Sequence, residues 1–309
     1  MTAAEKHASR SFYIVTPSRN QRDYLKLCIH SIADQRGVRV HHHVQDCAST
    51  DGTVELLRRH QSACEGRRGY SFSFESVEDG GMYDAVNRGW RRGLAKGYDF
   101  VAYLNCDEQY LDSTLRRVAQ SFDASPRTDV FYGHALVIRE NGDLVCRREV
   151  VIPNRYHILV SHLPVFTAAT FIRADAILDN NLFFDTQFKA SGDAEWTLRM
   201  IDKKVRFGLI RRYLATFVSR PDNLALSRKA LAELALLKNQ APRIVQKLVE
   251  PIKVHHRLKK VISGAYFPKD VAYDIYLSAS SERIHFSFTN ASSVWHERRG
   301  RDRIRSGFS

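Results

Sequence analysis

Apolar and polar positions along the first hundred residues fall into blocks whose period switches between strand-like and helix-like. Phe12-Tyr13-Ile14-Val15-Thr16 is a compact apolar, β-branched run that stops at Pro17-Ser18-Arg19-Asn20, as a buried parallel strand does. Tyr24, Leu25, Leu27, Cys28, Ile29 and Ile32 then make a single helical stripe. A second strand is expected at 38–45 and a helix over Val54–His60, with Thr50 or Asp51 placed to cap it. A third strand near 70–77, a helix near 82–96 and a fourth strand at 100–104 continue the series. This β-α-β-α order with short connections predicts an α/β fold with a mostly parallel central sheet flanked by helices. Ligands of such sheets bind outside the carboxyl ends of the strands. Three polar clusters fall on that rim: 16–20, 46–53 and 105–108.

Beyond residue 110 the pattern is mixed. A helix is expected near 112–122, then hairpin strands at 129–138 and 144–151 joined by Glu140-Asn141-Gly142-Asp143. A strand and turn occupy 165–173, and a helix runs from about Asp193 to Ile201. From 224 to 262 the chain reads as two basic amphipathic helices broken by Pro242 and Pro251, followed by short strand-like pieces and an Arg-rich end. The expected division is a main domain over 11–215, with halves 11–110 and 111–215, and a basic, mainly helical extension over 216–309.

Composition narrows the possibilities. With 309 residues, 44% of them apolar, the chain can bury a full core, and it contains no run of about 18 apolar residues that would span a membrane. The first ten residues lack a secretory apolar stretch. Cys28, Cys47, Cys64, Cys106 and Cys146 show no Cys-x-x-Cys spacing, so neither a disulfide framework nor a zinc site is expected, and a cytoplasmic location is. The net charge of +13 attracts nucleic acid, anionic lipid or phosphorylated small molecules, and only the motifs choose among them.

Four blocks carry chemistry. Val44-Gln45-Asp46-Cys47-Ala48-Ser49-Thr50-Asp51-Gly52-Thr53 puts a carboxylate at a strand end, where it can accept a uracil ring N–H or ribose hydroxyls. Glu78-Asp79-Gly80-Gly81-Met82-Tyr83-Asp84-Ala85-Val86-Asn87-Arg88-Gly89 lets backbone approach a ligand and offers free helix N–H groups to phosphate. Tyr103-Leu104-Asn105-Cys106-Asp107-Glu108 sets two acids where they can hold a hard divalent cation through oxygen. Phe188-Lys189-Ala190-Ser191-Gly192-Asp193-Ala194-Glu195-Trp196-Thr197-Leu198-Arg199 supplies a carboxylate able to take a proton from an attacking hydroxyl. Taken singly, each also reads as a capped turn or helix start.

In this order the blocks resemble those of family 2 glycosyltransferases, inverting enzymes of the GT-A fold that use nucleotide sugars, and the resemblance covers about 11–215. It implies donor contacts from Thr16, Pro17, Asp46, Ser49, Asp84, Asn87, Asn105 and Asp107, with Mg²⁺ or Mn²⁺ held by Asp107 and then Glu108. Asp193 aligns with the catalytic base, and Glu195 and Trp196 with acceptor contacts. The implied donor is a nucleotide-diphosphate sugar, most often UDP-linked. The implied acceptor is a glycan or lipid-linked hydroxyl in surface polysaccharide synthesis. Cys47 and Ala48 depart from the family's Asp or Gly, Glu108 from its Asp, and Thr167-Ala168 from its His-Gln.

Other features have plainer readings. Successive strand residues face opposite ways, so His41-His42-His43 cannot easily share one ion, and His255-His256 is expected at the surface. Arg199 is expected to pair with Glu195, four residues away. Over 241–262, Ile244, Val245, Leu248, Val249 and Ile252 form an apolar stripe rimmed by Arg243, Lys247, Lys253, Arg257, Lys259 and Lys260. That stripe suits either the cytoplasmic face of a membrane or packing on the main domain. Nucleic-acid binding through the basic end lacks a recognised motif, and nucleotide transfer would call for glycines at 16–20.

Overall fold

In the computed structural model, which describes residues 9–220, 228–278 and 280–295, strand β1 (Ser11–Ser18) divides its side chains between two cores. Phe12 and Ile14 face one, Tyr13 and Val15 the other. Helices α1 (Arg22–Ala33) and α2 (Thr53–Ala63) cover the first face, and α3 (Met82–Leu94) covers the second. Strands β2 (Arg39–Asp46), β3 (Tyr70–Ser76) and β4 (Phe100–Tyr103) extend β1 in parallel, in the order β3-β2-β1-β4. Helix α3 lies flat on the sheet because Gly93 and Gly89 leave room. A Cβ at Gly93 would come 2.4 Å from the Tyr13 ring, and one at Gly89 2.7 Å from Val15.

The second half adds β5 (Glu108–Tyr110), α4 (Thr114–Ala124), β6 (Val130–Ile138), β7 (Leu144–Arg148) and α5 (Arg155–Val160). It continues with β8 (Thr170–Arg173), α6 (Ala174–Asn180), α7 (Gly192–Asp202) and β9 (Phe207–Val218). The sheet order is β3-β2-β1-β4-β8-β6-β9-β5, with β7 beside β6. Strands β1, β2, β3, β4, β6 and β9 run one way, while β5, β7 and β8 oppose them, so the expected mostly parallel α/β sheet is observed in mixed form. Strand β9 was not anticipated. Its pairing with β6 shifts register at Arg211-Arg212, and this interrupts the alternation that would have announced a strand.

The C-terminal region contains α8 (Arg228–Asn239), α9 (Arg243–Lys247), α10 (Val249–Ile262), β10 (Lys269–Ile275) and β11 (Ile284–Ala291). One correction follows. Three helices stand where two were expected, because Pro251 lies in the first turn of α10, where the backbone N–H groups have no intrahelical partner to lose. The short strand-like pieces expected after them pair as antiparallel β10–β11, which packs Val271, Tyr273 and Ile275 against Leu136, Ile138 and Val218. Of the expected stripe, Val245 is buried with Ile158, Leu159 and Leu198, and Val249 and Ile252 pack against the same cluster. His256 is also buried, edge-to-face with both His157 and His162, rather than lying at the surface. Residues 224–227 and the Arg-rich end beyond 295 lie outside the described residues. Among those described, no helix is long and apolar enough to cross a membrane, and the five cysteines form no disulfide.

Candidate active site

The carboxyl ends of β1, β2, β4 and β9 open onto one cleft of about 480 Å³. Pro17, Ser18 and Arg19 enter it from β1, Cys47 from β2, Asn105, Cys106 and Asp107 from the turn after β4, Glu108 from the start of β5, and Ser219 and Arg220 from β9. Asp193 at the start of α7 closes the opposite side, so acids from sequence-distant blocks meet in one place.

These acids are held under strain of charge. Glu108 is fully buried and accepts the Asn105 backbone N–H at 2.8 Å. Burial first, and then the charges of Asp107 and Asp193, push its carboxyl up to about 8. Asp193 is recessed but open on the cleft side. Burial raises its carboxyl to about 6, against the Ala194 N–H bond that favours the charged form, and the nearby charge of Glu233 adds to the rise. Its position is fixed from below. The Asp193 N–H donates to Tyr83 Oη at 3.2 Å, and Gly192 is required there because a Cβ would meet the Tyr83 ring at 2.6 Å.

Oxygen donors for a hard cation are gathered at the end of β4. They comprise the Asp107 carboxylate, the Glu108 carboxyl, and Asn105 Oδ1, which is buried without a hydrogen-bond partner among the described residues. Arg220 lies 3.7 Å from Asp107 and competes for it. No group of three or more His, Cys, Asp or Glu side chains suited to a metal occurs among the described residues. Asp107, Glu108 and Asn105 offer oxygen donors of the kind that hard divalent cations take.

The other sequence-selected residues separate into those that line the cleft and those beneath it. Pro17, Asn105, Asp107, Glu108 and Asp193 line it. Asp46 is wholly buried and accepts Ser49 N–H, Ser49 Oγ–H and Ser76 Oγ–H at 2.9, 2.6 and 2.6 Å. Asp46 and Ser49 thus shape the turn that carries Cys47 into the cleft. Asp84 accepts the Gly80 N–H and pairs with Arg88. Asn87 clamps both backbone groups of Phe184 at 2.8 and 2.9 Å. The Thr16 hydroxyl points into the core at His42, 2.9 Å away, so only its backbone remains for a ligand. Trp196 is a correction: it is 1% exposed, packed at a tilt against Trp90 and Phe184, with its indole N–H on Leu182 O. Glu195 is held by a two-bond pairing with Arg199, as that spacing predicted, and does not line the cleft. The histidine run also divides by face, with His41 and His43 bonding Ser73 while His42 turns to Thr16; burial keeps all three well below the ordinary histidine pKa.

Sequence reasoning missed several wall residues. Tyr83 lay inside a quoted block, and its contact with Asp193 needed the fold to appear. Phe166, Phe217 and Trp295 make edge-to-face contacts along one wall, with Arg148 over Phe166. Glu233 on α8 accepts the N–H groups of Lys189, Ala190 and Ser191 at 2.7, 2.9 and 2.8 Å, gripping the loop that delivers Asp193. Lys189 Nζ reaches across to Gly80 O at 2.7 Å, tying this loop to the one before α3.

The model of Glycosyl transferase family 2 matches residues 13–191. This chain belongs to that family. Its match to TuaG of Bacillus subtilis (strain 168), assigned as a teichuronic acid biosynthesis glycosyltransferase, is 27% identical over 131 residues, covering 42% of this chain and 49% of TuaG. The match thus spans about half the length of that relative. Among solved structures, S. aureus TarS residues 1–349 in complex with UDP-GlcNAc superposes with a TM-score of 0.54 at 15% identity, over 75% of this chain and 67% of that one. A longer TarS structure gives 0.56 at 16%, over 90% and 60%. At that identity the likeness establishes the GT-A fold.

Proposed function

We propose that the chain transfers a sugar from a nucleotide-diphosphate sugar, UDP-linked, to a hydroxyl of a glycan or lipid-linked acceptor during cell-surface polysaccharide synthesis. The observation that carries this reading is the placement of Asp193, its carboxyl raised to about 6, in the same cleft as Asp107 and Glu108. A carboxylate with that affinity is largely ionised at pH 7 and still a better base than an ordinary aspartate. Asp193 takes the proton from the acceptor oxygen as that oxygen attacks the anomeric carbon, and the nucleoside diphosphate leaves from the opposite face. A single displacement of this kind inverts the anomeric configuration. When bound at Asp107 and Glu108, Mg²⁺ or Mn²⁺ would supply Lewis-acid stabilisation of the departing diphosphate. The backbone at Pro17 and Ser18, with Cys47, holds the nucleoside, while Arg19 and Arg220 bring cationic charge to the phosphates. The aromatic wall of Phe166, Phe217 and Trp295 faces the acceptor.

The UDP-GlcNAc bound to TarS and the teichuronic acid role assigned to TuaG support a UDP-linked donor and a cell-wall product. The test is incubation with a panel of nucleotide sugars, with and without Mn²⁺, followed by NMR of the transferred sugar. The reading expects cation-dependent consumption of a UDP-sugar and inverted product. Retained configuration, or no donor consumed across the panel, contradicts it.

A further inference from the structure

Helix α10 is apolar on two opposite faces. One face, formed by Val249, Ile252 and His256, packs inward on the cluster beneath α5 and α7. The other carries Val254, Leu258, Val261 and Ile262, spaced by four, three and one residues and therefore gathered on a single side. These four are 48, 52, 43 and 84% exposed. Tyr266 and Phe267, just past the end of the helix, are exposed as well, as are Leu248 and Ile244 before it. A helix at a protein surface ordinarily turns polar residues outward, and apolar outer faces of this size mark binding surfaces.

The charges beside this face are of one sign. Arg257 and Lys259 flank it on the two sides of the helix, and Arg243 and Lys247 of α9 are exposed just before it. Two acids occur between 228 and 269. Glu233 is buried on the Asp193 loop, and Glu250 is paired with Lys253. An exposed apolar ridge with a cationic rim complements a surface that is apolar a few ångströms down and anionic on top. The complementarity excludes a basic or purely polar partner.

We infer that the outer face of α10, centred on Leu258 and Ile262, docks the protein on an anionic lipid bilayer. The stripe that the sequence periodicity marks is thereby divided: Val245, Val249 and Ile252 are spent holding the helix to the main domain, while Ile244 and Leu248 stay exposed beside the outer face. That anchoring makes the outer face a rigid one. The inner face reaches the cleft wall: His256 lies against His162, and Val249 and Ile252 pack in the cluster that contains Leu163 and Ala194, all three of these being cleft wall residues. Docking therefore brings the cleft beside the membrane surface. The inference stands whether or not the cleft transfers sugar, because binding to vesicles needs no turnover.

The experiment is co-sedimentation of the full chain with phosphatidylcholine vesicles and with vesicles containing about one-third phosphatidylglycerol. The expected result is binding at least about tenfold tighter to the anionic vesicles, reduced at least about tenfold by Leu258→Glu with Ile262→Glu at an unchanged melting temperature. Both residues are exposed, so the substitutions spare the core. Arg257→Glu with Lys259→Glu is expected to weaken binding by a smaller factor and to flatten its salt dependence. Wild-type protein that stays in the supernatant overturns the inference, as does a Leu258→Glu/Ile262→Glu protein that sediments like wild type. A wild-type dimer in light scattering, made monomeric by the same pair without any vesicle binding, also overturns it and assigns the face to a second copy of the chain.

Discussion

The polar residues beneath the cleft and those lining it receive opposite treatment from the fold. Under the cleft, Asp46 accepts three hydrogen bonds from Ser49 and Ser76, and Asn87 satisfies both backbone groups of Phe184. Each is surrounded by partners that suit it. In the cleft, Glu108 is buried and Asp193 recessed, with their carboxyls pushed up to about 8 and about 6, and Asn105 Oδ1 has no hydrogen-bond partner among the described residues. Both groups come from motif blocks of similar appearance. The difference teaches that an acid or amide in such a block becomes scaffold when neighbours saturate it. It is available for chemistry when burial leaves its charge uncompensated.

That contrast can be broken at either end. Asp107→Ala is expected to lower kcat/KM for transfer by about 10²–10³-fold while leaving the melting temperature unchanged. A loss below about threefold would place Asp107 with the scaffold. Asn87→Leu should do the reverse. Stranding the buried Phe184 backbone groups costs about 2–4 kcal/mol in urea denaturation, while the folded fraction keeps its donor KM. A raised KM with unchanged stability would instead put Asn87 in contact with the donor.

A smaller effect sharpens the cleft side. Because the proposed reaction needs Asp193 ionised and its carboxyl is raised to about 6, kcat/KM should rise with pH and level off above that value. The sign for stability is opposite. A carboxyl whose folded pKa exceeds its unfolded one contributes stability that is complete below the unfolded pKa and is lost as pH rises through about 6. Glu233→Gln removes a negative charge felt at Asp193, so the midpoint of the rate profile should move to lower pH. An unmoved midpoint would restrict Glu233 to gripping the loop.

How much of this was readable in the chain depends on where each signal lies. The parallel half was legible because its apolar runs end in polar clusters, which fall on the cleft rim as expected. The acids Asp107, Glu108 and Asp193 were legible because the blocks occur in a fixed order. Trp196 misled because it adjoins an acid. Its helix is oriented by the Gly192–Tyr83 contact, which turns the indole toward Trp90. Strand β9 was hidden by the Arg211-Arg212 irregularity, and it delivers Arg220 and Phe217 to the cleft. Glu233 and Trp295 gave no local signal at all, since they reach the site only through packing of distant chain. The outer face of α10 was obscured because a helix apolar on two sides shows no single stripe.

The account turns on Asp193 acting on the acceptor rather than on the donor. Calorimetric donor binding and transfer rate, measured together on Asp193→Asn, address this directly. The account predicts an affinity for the nucleotide sugar within about twofold of wild type and a transfer rate reduced by about 10³-fold or more. Robust transfer by that variant, or donor binding lost in step with transfer, would contradict it.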